Sequence, residues 1–184
     1  MTLNELITGC KKNNREAQSE LFRQYKDTLF LTSLKYCRNE VEAEDNLHDA
    51  FMAIFEGIDK YKNKGSFEGW MRRIVIHKAI SKYKQNKLVA IEINDDLLKE
   101  ETHNSEEIHF DLDQILHSIQ SLPDQYRLVF NMYQMDGYSH KEIGLHLGIS
   151  ESTSKSNYHR AKGLLRKMLI PQKNKTTNTS SHGH

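Results

Sequence analysis

Lys155, His159, Arg160, Lys162, Arg166 and Lys167 form a basic run in which no acidic side chain follows Glu151. Residues of this type at helical spacing bind anions, and the phosphate backbone of DNA is the usual anion for a short basic helix. The residues before the run show how it is presented. Ser139-His140-Lys141-Glu142 has the spacing of a capping box, and Tyr138 and Ile143 stand where a hydrophobic staple closes a helix start. Gly148 supplies the permissive backbone of a helix exit. Ser150 then caps a second helix with Glu151 in its first turn. Two helices joined by a short glycine-containing turn make a helix-turn-helix.

Two further segments carry charge that could do work. Between Lys62 and Lys87 the side-chain charges sum to +7, with Arg72, Arg73, Lys78, Lys82 and Lys84 on one predicted helix and Tyr61, Trp70 and Tyr83 interleaved. Cations beside aromatics suit single-stranded nucleic acid, which pairs phosphates with one group and stacks bases on the other. A core tryptophan with a solvated lysine face produces the same pattern. Between Val41 and Asp59, Glu42, Asp45, Asp49 and Glu56 form an acidic stripe beside an apolar one of Leu47, Ala50, Phe51, Ile54, Phe55 and Ile58. Such a stripe is either an ordinary wet face or a docking surface for a basic protein.

Other chemistries find little support. The ten histidines include no His-x-x-x-His pair, and Cys10 and Cys37 are far apart, so neither a metal site nor a disulfide scaffold is expected. No nucleophile elbow, P-loop or dinucleotide loop occurs, and no catalytic residue or cofactor is assigned. The net charge of +1 averages opposed blocks, since Ile91 to Asp113 sums to −8 and every charged side chain from Ser152 onward is positive. Without a secretory leader or a run of about 18 apolar residues, a cytoplasmic protein with no membrane insertion is expected.

Periodicity supplies the elements that position these groups. Helices are predicted over 4–12, 14–37, 41–59 and 67–84, the last capped by Ser66 and turning Phe67, Trp70, Met71, Ile74 and Val75 inward. Residues 87–111 turn acidic and read as a flexible linker, with an extended piece at Leu88–Ile91. Helical periodicity resumes at Leu112, with Pro123 in the first turn of a helix that buries Tyr126, Val129, Phe130 and Met132 or Tyr133. The expected fold is all-α: a domain over 1–86, the linker, a helix-turn-helix domain over 112–170 and a disordered tail over 171–184.

Taken together, these segments resemble the extracytoplasmic-function sigma factors, promoter-recognition subunits of bacterial RNA polymerase with two helical domains called regions two and four. Ala43-Glu44-Asp45-Asn46-Leu47-His48-Asp49-Ala50-Phe51 is similar to the helix that docks on the clamp of the polymerase β′ subunit, with His48 where the family often has Gln. The run from Phe67 to Ile80 resembles the signature F-x-x-W-L-x-x-I-A-x-N, with His77 at the Asn position. Leu122 to Arg127 and Tyr138 to Arg166 resemble region four, with Ser154 where Val is common.

The resemblance implies three interfaces. Glu42, Asp45, His48, Asp49 and Phe51 would bind core polymerase, whose β and β′ subunits are the expected partners. Tyr61, Lys62, Asn63, Lys64, Ser66, Trp70, Arg72, Arg73, His77 and Lys78 would bind the minus-ten element, one base being flipped into a pocket of the 61–66 loop. Ser150, Ser152, Thr153, Lys155, Ser156, His159 and Arg160 would read the minus-thirty-five element of promoter DNA. An anti-sigma factor is a further partner of many relatives. The rival reading is a helix-turn-helix regulator that does not replace the polymerase's own specificity subunit.

Overall fold

The computed structural model describes residues 1–89 and 111–170, with the side chains of 88 and 89 left aside. The first unit holds α1 (Leu3–Lys11), α2 (Arg15–Tyr36), α3 (Glu40–Gly57) with a 3₁₀ turn at Ile58–Lys60, and α4 (Phe67–Val89). The second holds α5 (Leu112–Gln120), α6 (Asp124–Phe130), α7 (His140–Leu147) and α8 (Glu151–Leu169). All the regular elements among the described residues are helical. Two boundaries differ from expectation. α4 runs through Val89, so Leu88 and Val89 are helical rather than extended; the rest of the predicted linker and the tail lie outside the described residues. Pro123 is the N-cap of α6 rather than a first-turn residue, which equally spares a backbone donor.

Local chemistry starts the helices as read. Thr2 and Glu5 close a capping box on α1, and Ser139 and Glu142 close another on α7. Asn14, Asn39 and Ser150 accept from the amide three residues on, starting α2, α3 and α8. Gly148 ends α7 at φ 69°, a left-handed conformation that costs glycine nothing. After α6 the helix widens at Asn131–Met135, where Asp136 N–H reaches back five residues to Asn131 O at 3.1 Å.

In the first unit, Leu21 and Leu29 of α2 meet Ala50 and Ile54 of α3 and Phe67, Met71 and Val75 of α4. Asn46, fully buried, donates to Val75 O at 3.2 Å and to Ser33 Oγ at 3.1 Å, pinning α3 to both neighbours. The second unit packs Ile119 and Leu122 against Ala161 and Leu165 of α8.

A third cluster joins the two units. Tyr36, Ile76, Ala79 and Ile80 of the first pack with Leu128, Val129, Met132, Ile143 and Leu147 of the second. Polar groups complete this seam. A helix leaves its last carbonyls without intrahelical donors, and at the end of α2 the second unit supplies them. Gln120 Nε2 reaches Leu34 O at 3.1 Å, Asn131 Nδ2 reaches Lys35 O at 2.7 Å, and Arg127 Nε reaches Tyr36 O at 3.1 Å. Asp124 joins Arg127 to Arg38, and Tyr36 OH donates to Asp136 Oδ2 at 2.6 Å. Burial opposes the charge on Asp124, but the hydrogen bonds from Arg38 and Arg127 hold its pKa below the ordinary value.

Gly144 shows how closely α7 and α8 approach. A β-carbon there would lie 2.7 Å from Ile149 O, a backbone atom that cannot swing away. Gly144→Ala should therefore destabilise the chain by about 1–3 kcal/mol despite alanine's better helix propensity. A lower urea midpoint at unchanged slope is the expected reading; an unchanged or higher midpoint would mean that the turn yields freely.

Candidate nucleic-acid interface

On α8 the exposed side chains are Glu151, Ser152, Thr153, Lys155, Ser156, His159, Lys162, Arg166, Lys167 and the apolar Met168. Ser152, Lys155, Ser156 and His159 follow the spacing of one helix face. The opposite face, Ser154, Asn157, Ala161 and Leu165, is buried. The expected contact residues have structural partners of their own; Ser156 Oγ, for one, donates to Ser152 O at 3.0 Å. Ser150 Oγ accepts from Thr153 N at 3.0 Å as the helix cap. Arg160, half-buried, donates to Tyr126 OH at 3.1 Å and so leans toward α6. Lys155 pairs with Glu151 at 2.7 Å, one turn back. Ser154 is fully buried and sits 3.0 Å from His140 Nδ1, a polar contact between α7 and α8. Burial, reinforced by Lys155, pushes the His140 pKa down.

Before α4, the 61–66 loop is tightly formed. Asn63 and Gly65 have φ of 55° and 92°, the Tyr61 hydroxyl donates to Gly65 O at 2.9 Å, and Ser66 Oγ accepts from Gly69 N at 3.0 Å. Lys62, Asn63 and Lys64 stand exposed at the tip. Beneath them Tyr61, Phe67 and Trp70 form an aromatic floor, with ring centres 5.0 to 5.5 Å apart. Tyr61 is only 8% exposed, so it supports the loop rather than offering a free face. Along α4, Arg73 and His77 are exposed, while Arg72 and Lys78 are partly covered. The ring of His77 packs 5.0 Å from that of His146 on α7. Partial desolvation of the imidazole against its neighbours, with His146 and Arg73 adding to it, lowers the His77 pKa.

The acidic stripe of α3 faces solvent at Asp45 and His48, with Glu42 and Asp49 half-exposed. Phe51 does not share that face. At 3% exposure it packs in the core against Phe22 and Phe55, so it holds the ridge in place rather than presenting itself to a partner. Sequence reading missed two neighbours that do share it, Val41 and Met52, at 68% and 51% exposure. A helical wheel would have placed them with Asp45 and His48, and apolar groups among acids mark a protein-docking face better than acids alone. Asp49 is also engaged from within, 2.9 Å from Lys82 Nζ on α4. Among the described residues no group of three or more His, Cys, Asp and Glu could hold a metal ion, and no helix is long and apolar enough to cross a membrane.

Comparison with known proteins accounts for both units. Residues 21–89 match the family model described as Sigma-70 region 2, and residues 112–165 match Sigma-70, region 4. Relatives include the ECF RNA polymerase sigma factor SigW of Bacillus subtilis, 28% identical with 92% of this chain and 97% of that protein covered. The RNA polymerase sigma factor SigZ of the same organism is 30% identical, over 68% of this chain and 72% of its own length. Against the ECF sigma factor SigE of Mycolicibacterium smegmatis, 27% identical with 88% of this chain covered, the alignment spans 65% of the relative's length. Among solved structures, the sigma factor RpoE of Bartonella quintana, in complex with the anti-sigma factor NepR, shares the fold. The TM-score is 0.51 at 16% identity, covering 82% of this chain and 94% of that one.

Proposed function

We infer, from the extracytoplasmic-function sigma factor family to which this chain belongs, that it binds core RNA polymerase and directs promoter recognition and opening. The observation that carries the reading is the exposed ridge of Asp45 and His48 in the same chain as two separate cationic helices. A regulator that leaves polymerase specificity alone has no need of that ridge. The ridge, with Glu42, Asp49, Val41 and Met52 around it, docks on polymerase. The Lys62–Lys64 tip and the exposed edge of α4 hold the unwound minus-ten strand over the aromatic floor. Lys155, Ser156 and His159, with Ser152 and Thr153 at the helix start, enter the major groove at the minus-thirty-five element. Opening needs no hydrolysis, because capture of an extruded base repays the few kcal/mol of unstacking. The chain itself is therefore read as a non-enzymatic specificity subunit acting in the cytoplasm.

The seam bears on this mechanism. α7 packs on both α4 and α8, and at about 8–10 Å per helix–helix step the two cationic helices lie roughly 20 Å apart. Elements named minus ten and minus thirty-five are separated by roughly 85 Å of duplex at about 3.4 Å per base pair. The two units must part for one chain to hold both elements.

The test is to mix the chain with core polymerase and promoter DNA. Initiation should depend on the chain and on both elements; a chain that binds DNA but never core would establish the rival reading. Lys155→Ala should weaken minus-thirty-five binding by about 1–3 kcal/mol and relax specificity at the base pair it faces. Equal loss on every sequence would remove Lys155 from the base contacts.

A further inference from the structure

His140 stands between the two helices of the helix-turn-helix. It opens α7, and its ring lies flat on that of Tyr133, with centres 4.2 Å apart and planes 11° from parallel. The Tyr158 ring of α8 closes another side at 5.8 Å. Nδ1 lies 3.0 Å from Oγ of the buried Ser154. A hydroxyl serves either protonation state of the ring. It donates to Nδ1 of the neutral form and accepts from Nδ1–H of the charged form, and in both Nε2 carries a proton to donate. The ring is thus held by stacking and one hydrogen bond, with Nε2 as its remaining donor.

The charges around it are unequal. Glu151 and Lys155 of α8 act on His140 with opposite signs, and Lys141 of α7 acts on the same Glu151. Glu142, on α7, is turned back to Ser139. Among the described residues the carboxylate facing His140, that of Glu151, is therefore shared with two lysines and is already paired to Lys155 at 2.7 Å. The corner lacks an anion, and its position offers one. The first helix of a helix-turn-helix crosses the DNA backbone while the start of the second meets base edges. His140 lies on that first helix, against the start of α8 and beside Lys155.

We propose that His140 grips a phosphate at the edge of the groove that α8 enters and takes up a proton from solvent as it does so, which makes duplex affinity rise with acidity. In the free chain, desolvation and Lys155 hold the His140 pKa below its ordinary value, and a phosphate beside the ring raises it. A group whose pKa is higher in the complex strengthens binding as pH falls through that higher value, and the gain levels off below the lower one. The inference rests on the reading of α8 as the groove-entering helix and on no residue of the first unit. The family resemblance assigned no contact to His140.

The experiment titrates the full-length chain into a labelled duplex of mixed sequence, since a phosphate contact is independent of sequence. His140→Asn places an amide oxygen near the position of Nδ1 and keeps the bond from Ser154, but cannot titrate. His140→Phe keeps the stack on Tyr133. Between about pH 8 and about pH 6, where histidine changes charge, wild-type affinity should rise about fivefold more than that of either variant, the effect of a pKa raised by roughly one unit. At the acid end the salt slope of both variants should be smaller than wild type by about one. The remaining histidines titrate in all three proteins and cancel in the ratio. Each protein is compared with its own affinity at the alkaline end, so a uniform loss of binding cannot imitate the result. A purely structural His140 gives variants that bind more weakly with the wild-type pH profile, and that outcome overturns the proposal. A wild-type chain that binds the duplex at no pH overturns the reading of α8, and the proposal with it.

Discussion

Replacing Asp45 and Asp49 together by lysine should reduce affinity for core polymerase on the order of a hundredfold or more. Reversing two charges turns attraction into repulsion at the centre of a docking face, where truncating one charged partner alone costs about 2–5 kcal/mol. The fold should tolerate the change. Asp45 is exposed and Asp49 half-exposed, and the core beneath them is made by Ala50, Phe51 and Ile54, which are untouched. Duplex binding through α8 should stay at the wild-type level in the same full-length protein. Asp49→Lys also removes the partner of Lys82, so the single Asp45→Lys variant isolates the ridge from the ion pair, and it should lose roughly half of the effect in free-energy terms. Core affinity within threefold of wild type for the double variant would show that polymerase docks elsewhere. Parallel loss of core and duplex binding would mean that the fold itself was damaged.

Arg127→Met should cost about 3–5 kcal/mol of stability, a large share of the roughly 5–15 kcal/mol that holds a domain together. Arg127 is 3% exposed, yet each of its three guanidinium nitrogens donates a hydrogen bond. It donates to Tyr36 O at 3.1 Å, Gln120 O at 3.1 Å, Leu122 O at 2.8 Å and Asp124 Oδ1 at 2.6 Å. Methionine fills much of the same space but leaves three carbonyls without that donor and Asp124 with Arg38 as its remaining cation. The expected result is a urea midpoint lowered in proportion, with loss of amide protection at the end of α2 as well as in α6. Since Arg127 bonds both units, protection should fall on both sides of the seam. A stability change under about 1 kcal/mol would show that water replaces the guanidinium at little cost.

What could be read directly was whatever depends on residues a few positions apart. The Ser139–Glu142 box, the Ser150 cap and the left-handed exit at Gly148 are contacts within one turn, and they appeared where their spacing put them. So did the inward stripe of α4 and the outward basic face of α8, because a helix of period 3.6 sorts residues by face whatever it packs against. The order of the two matched segments along the chain was legible for the same reason, each being a run of local patterns.

The seam was not legible. Its bonds join residues 86 to 100 positions apart, such as Gln120 with Leu34 and Tyr36 with Asp136. Arg127 looks in sequence like one more surface cation. It is drawn inside because α2 ends against it with a carbonyl, that of Tyr36, which lacks an intrahelical donor. Phe51 sits within the acidic segment but turns to the core, and Asp49 turns to Lys82. Composition and periodicity thus determined which faces are apolar, acidic and basic, while the packing of one helix on another decided which charges remain available to a partner, since a charge answers to what lies within a few ångströms in space and not to its neighbours along the chain.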